Sequence, residues 1–332
     1  MPTSLLVIVT PDERTKFLPD TVLAELRSYA AEFQLIDPTD LTAEAFARAV
    51  ATANPEVILA CWHTPSLPAS LPPRLRYVCY LTGSVKRLVT RVQLVRGLRL
   101  TNWGSSISRI VAECALFHTL CCLRHATRFT LLIHRDRGWR DDWEKVGSLF
   151  RRRVGIHGFG PVARALLQLL RPFDCTVSVF APDVDEAVAR QHGVTRAASL
   201  EALFGDNDVI VELAPLIPAT IGLVTERHLR LIRPGGVFVN VGRGAIVDEA
   251  ALLRVASEGR IQIGLDVFAE EPLPADSGFR GLPNVSLSPH VAGPTLDRYP
   301  DATAFALRNL HAYAAGRPLE AVITPEIYDR ST

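Results

Sequence analysis

The stretch Arg153–Asp183, RVGIHGFGPVARALLQLLRPFDCTVSVFAPD, decides the fold. It opens on a short apolar run (Val154, Gly155, Ile156) and turns through a glycine loop. Val162, Leu166, Leu169 and Leu170 then follow at helical spacing, before a β-rich run from Thr176 to Phe180. A strand, tight turn, helix and strand of this length make one parallel crossover unit. Gly158, Gly160 and Ala163 fill the three places of G-x-G-x-x-G/A. The two glycines let the backbone turn and approach a pyrophosphate, and the small third residue lets the helix lie on the strand. Behind them the helix N-terminus offers free N–H groups and a partial positive charge to an anion. Pro161 adds no N–H but suits the first helical position. The acid that such units carry about 20 residues on has no counterpart at Ala181, although Asp183 and Asp185 follow closely. Negative charge with no arginine beside it disfavours a 2′-phosphate, so NAD(H) is expected ahead of NADP(H).

Working outward, 332 residues suffice for two domains and a large core. Hydrophobic residues make up 48%, which argues against disorder. With 36 basic against 35 acidic residues the net charge is +1, so there is no electrostatic footprint for nucleic acid. The N-terminal MPTSLLVIVTPDE has neither a basic leader region nor a cleavage site and reads as a buried first strand. No apolar run reaches membrane-span length. Six cysteines (Cys61, Cys79, Cys114, Cys121, Cys122, Cys175) lie mostly in apolar segments without C-x-x-C spacing. They read as buried thiols of a cytoplasmic protein, with no metal site and no disulfide.

Before the glycine loop, strands are expected at Leu5–Val9, Val57–Ala60 and Tyr77–Leu81, with helices at Pro19–Phe33 and Ala43–Val50. This alternation implies a parallel α/β sheet, whose ligands bind beyond the strands' carboxyl ends. Two loops stand there, Cys61-Trp62-His63-Thr64-Pro65 and Thr82-Gly83-Ser84-Val85. The second is either an anion-binding turn of successive N–H groups or an ordinary turn before a helix around Leu88. Ile107–Leu123 reads as a buried connector helix, and residues 126–150, with Trp139 and Trp143, as an exposed arm suited to clasping a second subunit or its own domain. Further strands at Val209–Leu213, Val237–Val241 and Ile261–Leu265 complete a second parallel sheet, and a last helix falls within Pro294–Ala315.

The downstream strand ends concentrate chemistry. Arg243 sits between two glycines in VNVGRG, Asp266, Glu270 and Glu271 lie in LDVFAEEP, and His290 lies in LSPHVAG. A guanidinium presents a planar fork to a carboxylate or carbonyl oxygen. A histidine exchanges a proton near neutral pH, and a glutamate bonded to it fixes its tautomer and favours the imidazolium. Each residue alone also fits a helix-entry, core or surface role. All three at successive strand ends behind a dinucleotide loop fit a catalytic set better.

The series HGFGPVA, VNVGRGAIVDEAAL, GLDVFAEEPLP and SPHVAG resembles the D-isomer-specific 2-hydroxyacid dehydrogenases, loosely over nearly the whole chain and tightly from Val154 to Gly293. The resemblance implies two doubly wound α/β domains: a Rossmann cofactor domain at 104–294 inserted in a discontinuous flavodoxin-like substrate domain at 1–103 and 295–332. It implies NAD(P)-dependent interconversion of small 2-oxo and 2-hydroxy acids by a homodimer. Arg243, Glu271 and His290 would be catalytic, with Trp62, Gly83, Ser84, Arg243 and His290 on the substrate. The cofactor would meet Gly158, Phe159, Gly160, Pro161 and Val162, then Ala181 and Pro182, Ala214 and Pro215, Val241 and Gly242, and finally Asp266, His290 and Gly293. Asp266 would contact the nicotinamide carboxamide. Ala181, Ile107, Lys86 and Leu213 depart from the family's usual aspartate, asparagine, aspartate and histidine. The alternative is an NAD(H)-sensing, corepressor-like binding protein. A methyltransferase sharing the glycine loop would leave DVFAEEP and SPHVAG unexplained.

Overall fold

The computed structural model describes residues 2–139 and 145–331. The chain forms two compact units, Met1–Ile107 with Pro294–Thr332, and Ser108–Gly293. In the first, β1 (Ser4–Ile8), β2 (Glu32–Ile36), β3 (Val57–Ala60), β4 (Tyr77–Tyr80) and β5 (Arg99–Thr101) form a wholly parallel sheet in the order 2-1-3-4-5. β1, β3 and β4 are buried along their whole length, as central parallel strands with covered faces must be. Helix Ala43–Ala53 starts where the Thr42 hydroxyl accepts the Ala45 N–H and stops at Asn54, which is left-handed.

The second unit holds seven parallel strands: β6 (Arg153–His157), β7 (Thr176–Phe180), β8 (Thr195–Arg196), β9 (Val209–Glu212), β10 (Val237–Asn240), β11 (Gln262–Leu265) and β12 (Val285–Leu287). Their order, 12-11-10-9-6-7-8, reverses direction between β6 and β9. That reversal opens the crevice in which doubly wound sheets bind nucleotides. Helices Ser108–Leu123 and Pro161–Leu170 pack together over one face, and a second apolar cluster, centred on Phe204, Phe238 and Ile263, fills the other.

Several elements differ from expectation. The helix expected to run to Phe33 ends at Tyr29, and Glu32–Ile36 is a half-exposed edge strand whose pattern lacks clean alternation. Pro11–Phe17, between the expected strand and helix, is a further helix with a Thr10/Glu13 capping box. Residues 126–134, expected in an arm, form helix Ala126–His134. Trp139 is 74% exposed, and Trp143 lies outside the described residues. β12 is the strand whose end precedes His290, and helix Pro325–Arg330 was unanticipated. All six cysteines are free thiols, but Cys114, Cys121 and Cys175 are only half-buried. Among the described residues no helix is long and apolar enough to cross a membrane.

Candidate active site

The glycine loop leaves β6 at the sheet's reversal point. Gly158 has φ +86°, and a Cβ there would stand 2.7 Å from the Ala214 Cα, so only glycine lets β6 pass so close to the loop after β9. Gly160 caps helix Pro161–Leu170 without a side-chain hydrogen bond, and space is open where its Cβ would be. The N–H groups of Gly160, Val162 and Ala163 donate to nothing among the described residues. An open, glycine-walled N-terminus of a ten-residue helix fits a dinucleotide's pyrophosphate. Phe159 is buried with its ring edge-on to His192, Ala181 is buried at the end of β7, and Pro182 is exposed. Asp185 is committed as the N-cap of helix Glu186–His192, its Oδ1 accepting the Val188 N–H at 2.8 Å. Asp183 is the exposed acid that remains beside Ala181.

Along the same sheet edge, Asn240 ends β10 and shapes the arginine loop. Its Oδ1 accepts the Gly242 N–H and its Nδ2 donates to the Arg243 carbonyl, both at 3.0 Å. Gly244 is obligatory, because a Cβ there would fall 2.0 Å from the Phe268 carbonyl carbon. The arginine loop is thereby pressed onto the loop that carries Glu271. Arg243 Nη1 donates to the Gly242 carbonyl at 2.7 Å. Burial pulls its guanidinium below the ordinary arginine value and the Glu271 carboxylate pulls the other way, so the group stays cationic.

Glu271 spans two partners. Its Oε1 accepts the Phe268 N–H at 3.0 Å, and its Oε2 lies 2.6 Å from His290 Nδ1. An ionised carboxylate can only accept, so Nδ1 carries the proton and Nε2 remains to exchange one. His290 is 45% exposed at its side chain and holds φ +54°, a conformation that needs outside support. Asp266 supplies it. Fully buried at the end of β11, it accepts the His290 N–H on its carbonyl at 2.8 Å. Its carboxylate takes the N–H groups of Val291 and Ala292, both at 2.9 Å, and the Ser288 hydroxyl at 2.5 Å. Sequence reasoning named Asp266 for the cofactor and missed this clamp, whose signal was only an acid at one strand end and a serine at the next.

The remaining substrate candidates lie in the first unit. The Gly83 and Ser84 N–H groups donate to nothing among the described residues, and the Gly83 carbonyl accepts from Asn102 Nδ2 at 2.8 Å. Trp103 covers Gly83 so closely that a Cβ would meet its Nε1 at 2.7 Å. Trp62, 41% exposed, stands edge-on to Phe17, Trp103 and Tyr299. His63 is engaged by buried Glu13, at 2.9 Å from its Nδ1.

A model of the D-isomer specific 2-hydroxyacid dehydrogenase NAD binding domain matches residues 116–292, more than half of the chain. This chain belongs to that family. Hydroxyphenylpyruvate reductase of Plectranthus scutellarioides is 31% identical over 233 residues, 70% of this chain and 72% of that protein. Glyoxylate reductase of Pyrococcus furiosus is 26% identical over 262 residues, 77% of each chain. The crystal structure of Rhodotorula graminis D-mandelate dehydrogenase superposes with a TM-score of 0.83 over 97% of this chain and 98% of that one, at 18% identity, which attests the fold. The family makes this chain an oxidoreductase with a nicotinamide-dinucleotide-binding domain.

Proposed function

We propose that the protein interconverts 2-oxo acids and D-2-hydroxy acids with NAD(H), with NADP(H) as a weaker partner, His290 as acid/base and Arg243 as substrate anchor. The observation that carries this reading is the His290 Nδ1 to Glu271 Oε2 contact of 2.6 Å, with the Glu271 charge acting on the Arg243 guanidinium, at the strand ends that also bear the glycine loop. In this reading the second unit holds the nucleotide. The homodimer implied by the family resemblance belongs to the same reading.

The bound nicotinamide supplies hydride exchange at the substrate's C2. The chain's own residues do the rest. Glu271 keeps the His290 proton on Nδ1 and steadies the imidazolium, so Nε2–H can give a proton to the forming alkoxide oxygen, or take one in reverse. Arg243 offers paired N–H donors to the carboxylate and carbonyl oxygens and stabilises the charge that grows on the latter. The free N–H groups of Gly83 and Ser84 suit a carboxylate. The relatives' names set the panel to try: glyoxylate and hydroxyphenylpyruvate, with hydroxypyruvate and pyruvate between them in size.

The test follows NADH and NADPH oxidation across that panel, with His290→Ala as control. Turnover by the wild-type protein and a loss of about 10²–10⁴-fold in the variant are expected. Unchanged turnover in His290→Ala removes the assignment. Tight NADH binding without turnover of any acid turns the protein into a nucleotide-sensing binder instead.

A further inference from the structure

Beneath the His290 loop lies a buried polar chain that the proposed reaction does not use. One end of it is His118, in the middle of the mostly apolar helix Ser108–Leu123, with 0% exposure. Gly264 on β11 makes room for it, since a Cβ there would stand 2.7 Å from the His118 Cβ. Its Nδ1 lies 3.0 Å from the Ser286 hydroxyl and its Nε2 lies 2.8 Å from the Ser288 hydroxyl. Ser288 in turn reaches Asp266 Oδ1 at 2.5 Å.

The directions of these bonds follow from donor counting. Asp266 already accepts the Val291 and Ala292 N–H groups, so the Ser288 proton goes to it. That leaves the Ser288 oxygen as an acceptor toward His118, and Nε2 must carry the imidazole proton. Nδ1 is then bare and accepts from Ser286. One tautomer satisfies every bond. Burial, only partly offset by the Asp266 charge, presses the His118 imidazole toward its neutral form, as this arrangement requires. Cys114, one turn earlier, completes a sulfur, nitrogen and oxygen set within 4.8 Å, but the Ser288 hydroxyl already bridges the His118 nitrogen and the Asp266 oxygen. Burial and the Asp266 charge push the Cys114 thiol up to about 12, so it stays protonated.

We infer that His118 is a positioning residue: its Nε2–H fixes the Ser288-to-Asp266 hydrogen bond, and through Asp266 it holds the left-handed backbone at His290 that aims the imidazole. This rests on reading His290 as the acid/base. An apolar residue at 118 would leave the Ser288 oxygen with no donor but the weak Cys114 thiol, and free its proton to turn away from Asp266. The loop would loosen while the nucleotide groove, framed by β6 and β9, stayed as it is.

The experiment compares wild type, His118→Leu and His118→Gln in the full chain; glutamine keeps one N–H donor and one acceptor. In His118→Leu, kcat for 2-oxo acid reduction should fall about tenfold and its pH profile should shift, with NADH affinity changed less than about threefold. His118→Gln should recover most of the loss. Amide exchange at Val291 and Ala292 should quicken in the leucine variant, and ring-nitrogen NMR should show wild-type His118 as neutral Nε2–H. A leucine variant with unaltered kcat, pH profile and Val291/Ala292 exchange overturns the inference, and so does the opposite tautomer. Exchange and tautomer need no turnover, so an inactive wild type would sink the reading of His290 while those two measurements still decide the role of His118.

Discussion

At the end of β6 and in the loop after β12, a histidine meets a glutamate at the same Nδ1–Oε2 distance of 2.6 Å. The surroundings differ. His157 and Glu212, opposite one another in the β6–β9 register, expose 5% and 0% of their side chains; His290 and Glu271 expose 45% and 33%. The inner pair is spent on architecture. Glu212 Oε1 also takes the Ala214 N–H at 2.9 Å, fixing the backbone against which Gly158 is packed. The outer pair is open to solvent, and its carboxylate acts on the charge of Arg243. Identical pairing thus gives a buckle in one place and, in the function proposed for His290, a proton carrier in the other; exposure is what separates them.

The largest effect should come from breaking the buckle. Removing one partner of a buried pair strands the other, so Glu212→Leu should cost about 3–5 kcal/mol, on the order of 10 °C in Tm. Replacing both, His157→Ile with Glu212→Leu, should restore most of it, because a packed apolar pair needs no compensation. Thermal denaturation of the two variants decides; a double variant no better than the single one would mean that the carboxylate's bond to Ala214 matters more than its charge.

The same pair predicts a pH dependence. Burial opposes charge on His157, but the Glu212 carboxylate, by its charge and its hydrogen bond, outweighs it, and the net shift is upward. A histidine raised on folding contributes its full stabilisation below its unfolded value of about 6.5 and loses it as pH rises through the folded value. The penalty of Glu212→Leu should therefore be greater at pH 6 than at pH 9. His228 lies near enough for His157 to act on it, and burial presses it toward its neutral form. Equal penalties at both pH values would show that the pair does not carry a proton.

At the outer pair, stability should hardly move and turnover should. Glu271→Gln keeps the shape but leaves the tautomer and the imidazolium unsupported. A fall in kcat of about 10²-fold is expected, near 2.7 kcal/mol in the barrier, with Tm within a few degrees of wild type. A variant that loses stability and keeps its turnover would invert the comparison.

How much of this contrast the chain announced depends on range. The glycine loop, Arg243, Glu271 and His290 stand in short motifs whose meaning comes from adjacent strand and turn residues, so they could be read directly. Glu32–Ile36 could not, because an edge strand buries little and shows no alternation. His157 and Glu212 are 55 residues apart and meet only through the parallel register, while His118 meets Ser286 and Ser288 across 168 and 170 residues. Such partners are products of topology, and a strand-end histidine carries no local mark of which carboxylate it will face.

A third pair of the same length supplies the smallest effect and the sharpest control. In the first unit, His311 Nε2 lies 2.6 Å from Glu25 Oε1, with 51% and 44% of the two side chains exposed. Distance alone would rank it with the other two. Solvent screens its charge, and ordering two surface side chains offsets most of the attraction, so His311→Gln should change stability by no more than about 0.5 kcal/mol. Neither side chain belongs to the proposed site, so reduction of 2-oxo acids should also be unchanged. Denaturation and turnover measured on this variant beside Glu212→Leu and Glu271→Gln isolate what the contact length cannot supply. A large effect at His311 on either readout would mean that exposure is not the variable separating buckle from proton carrier.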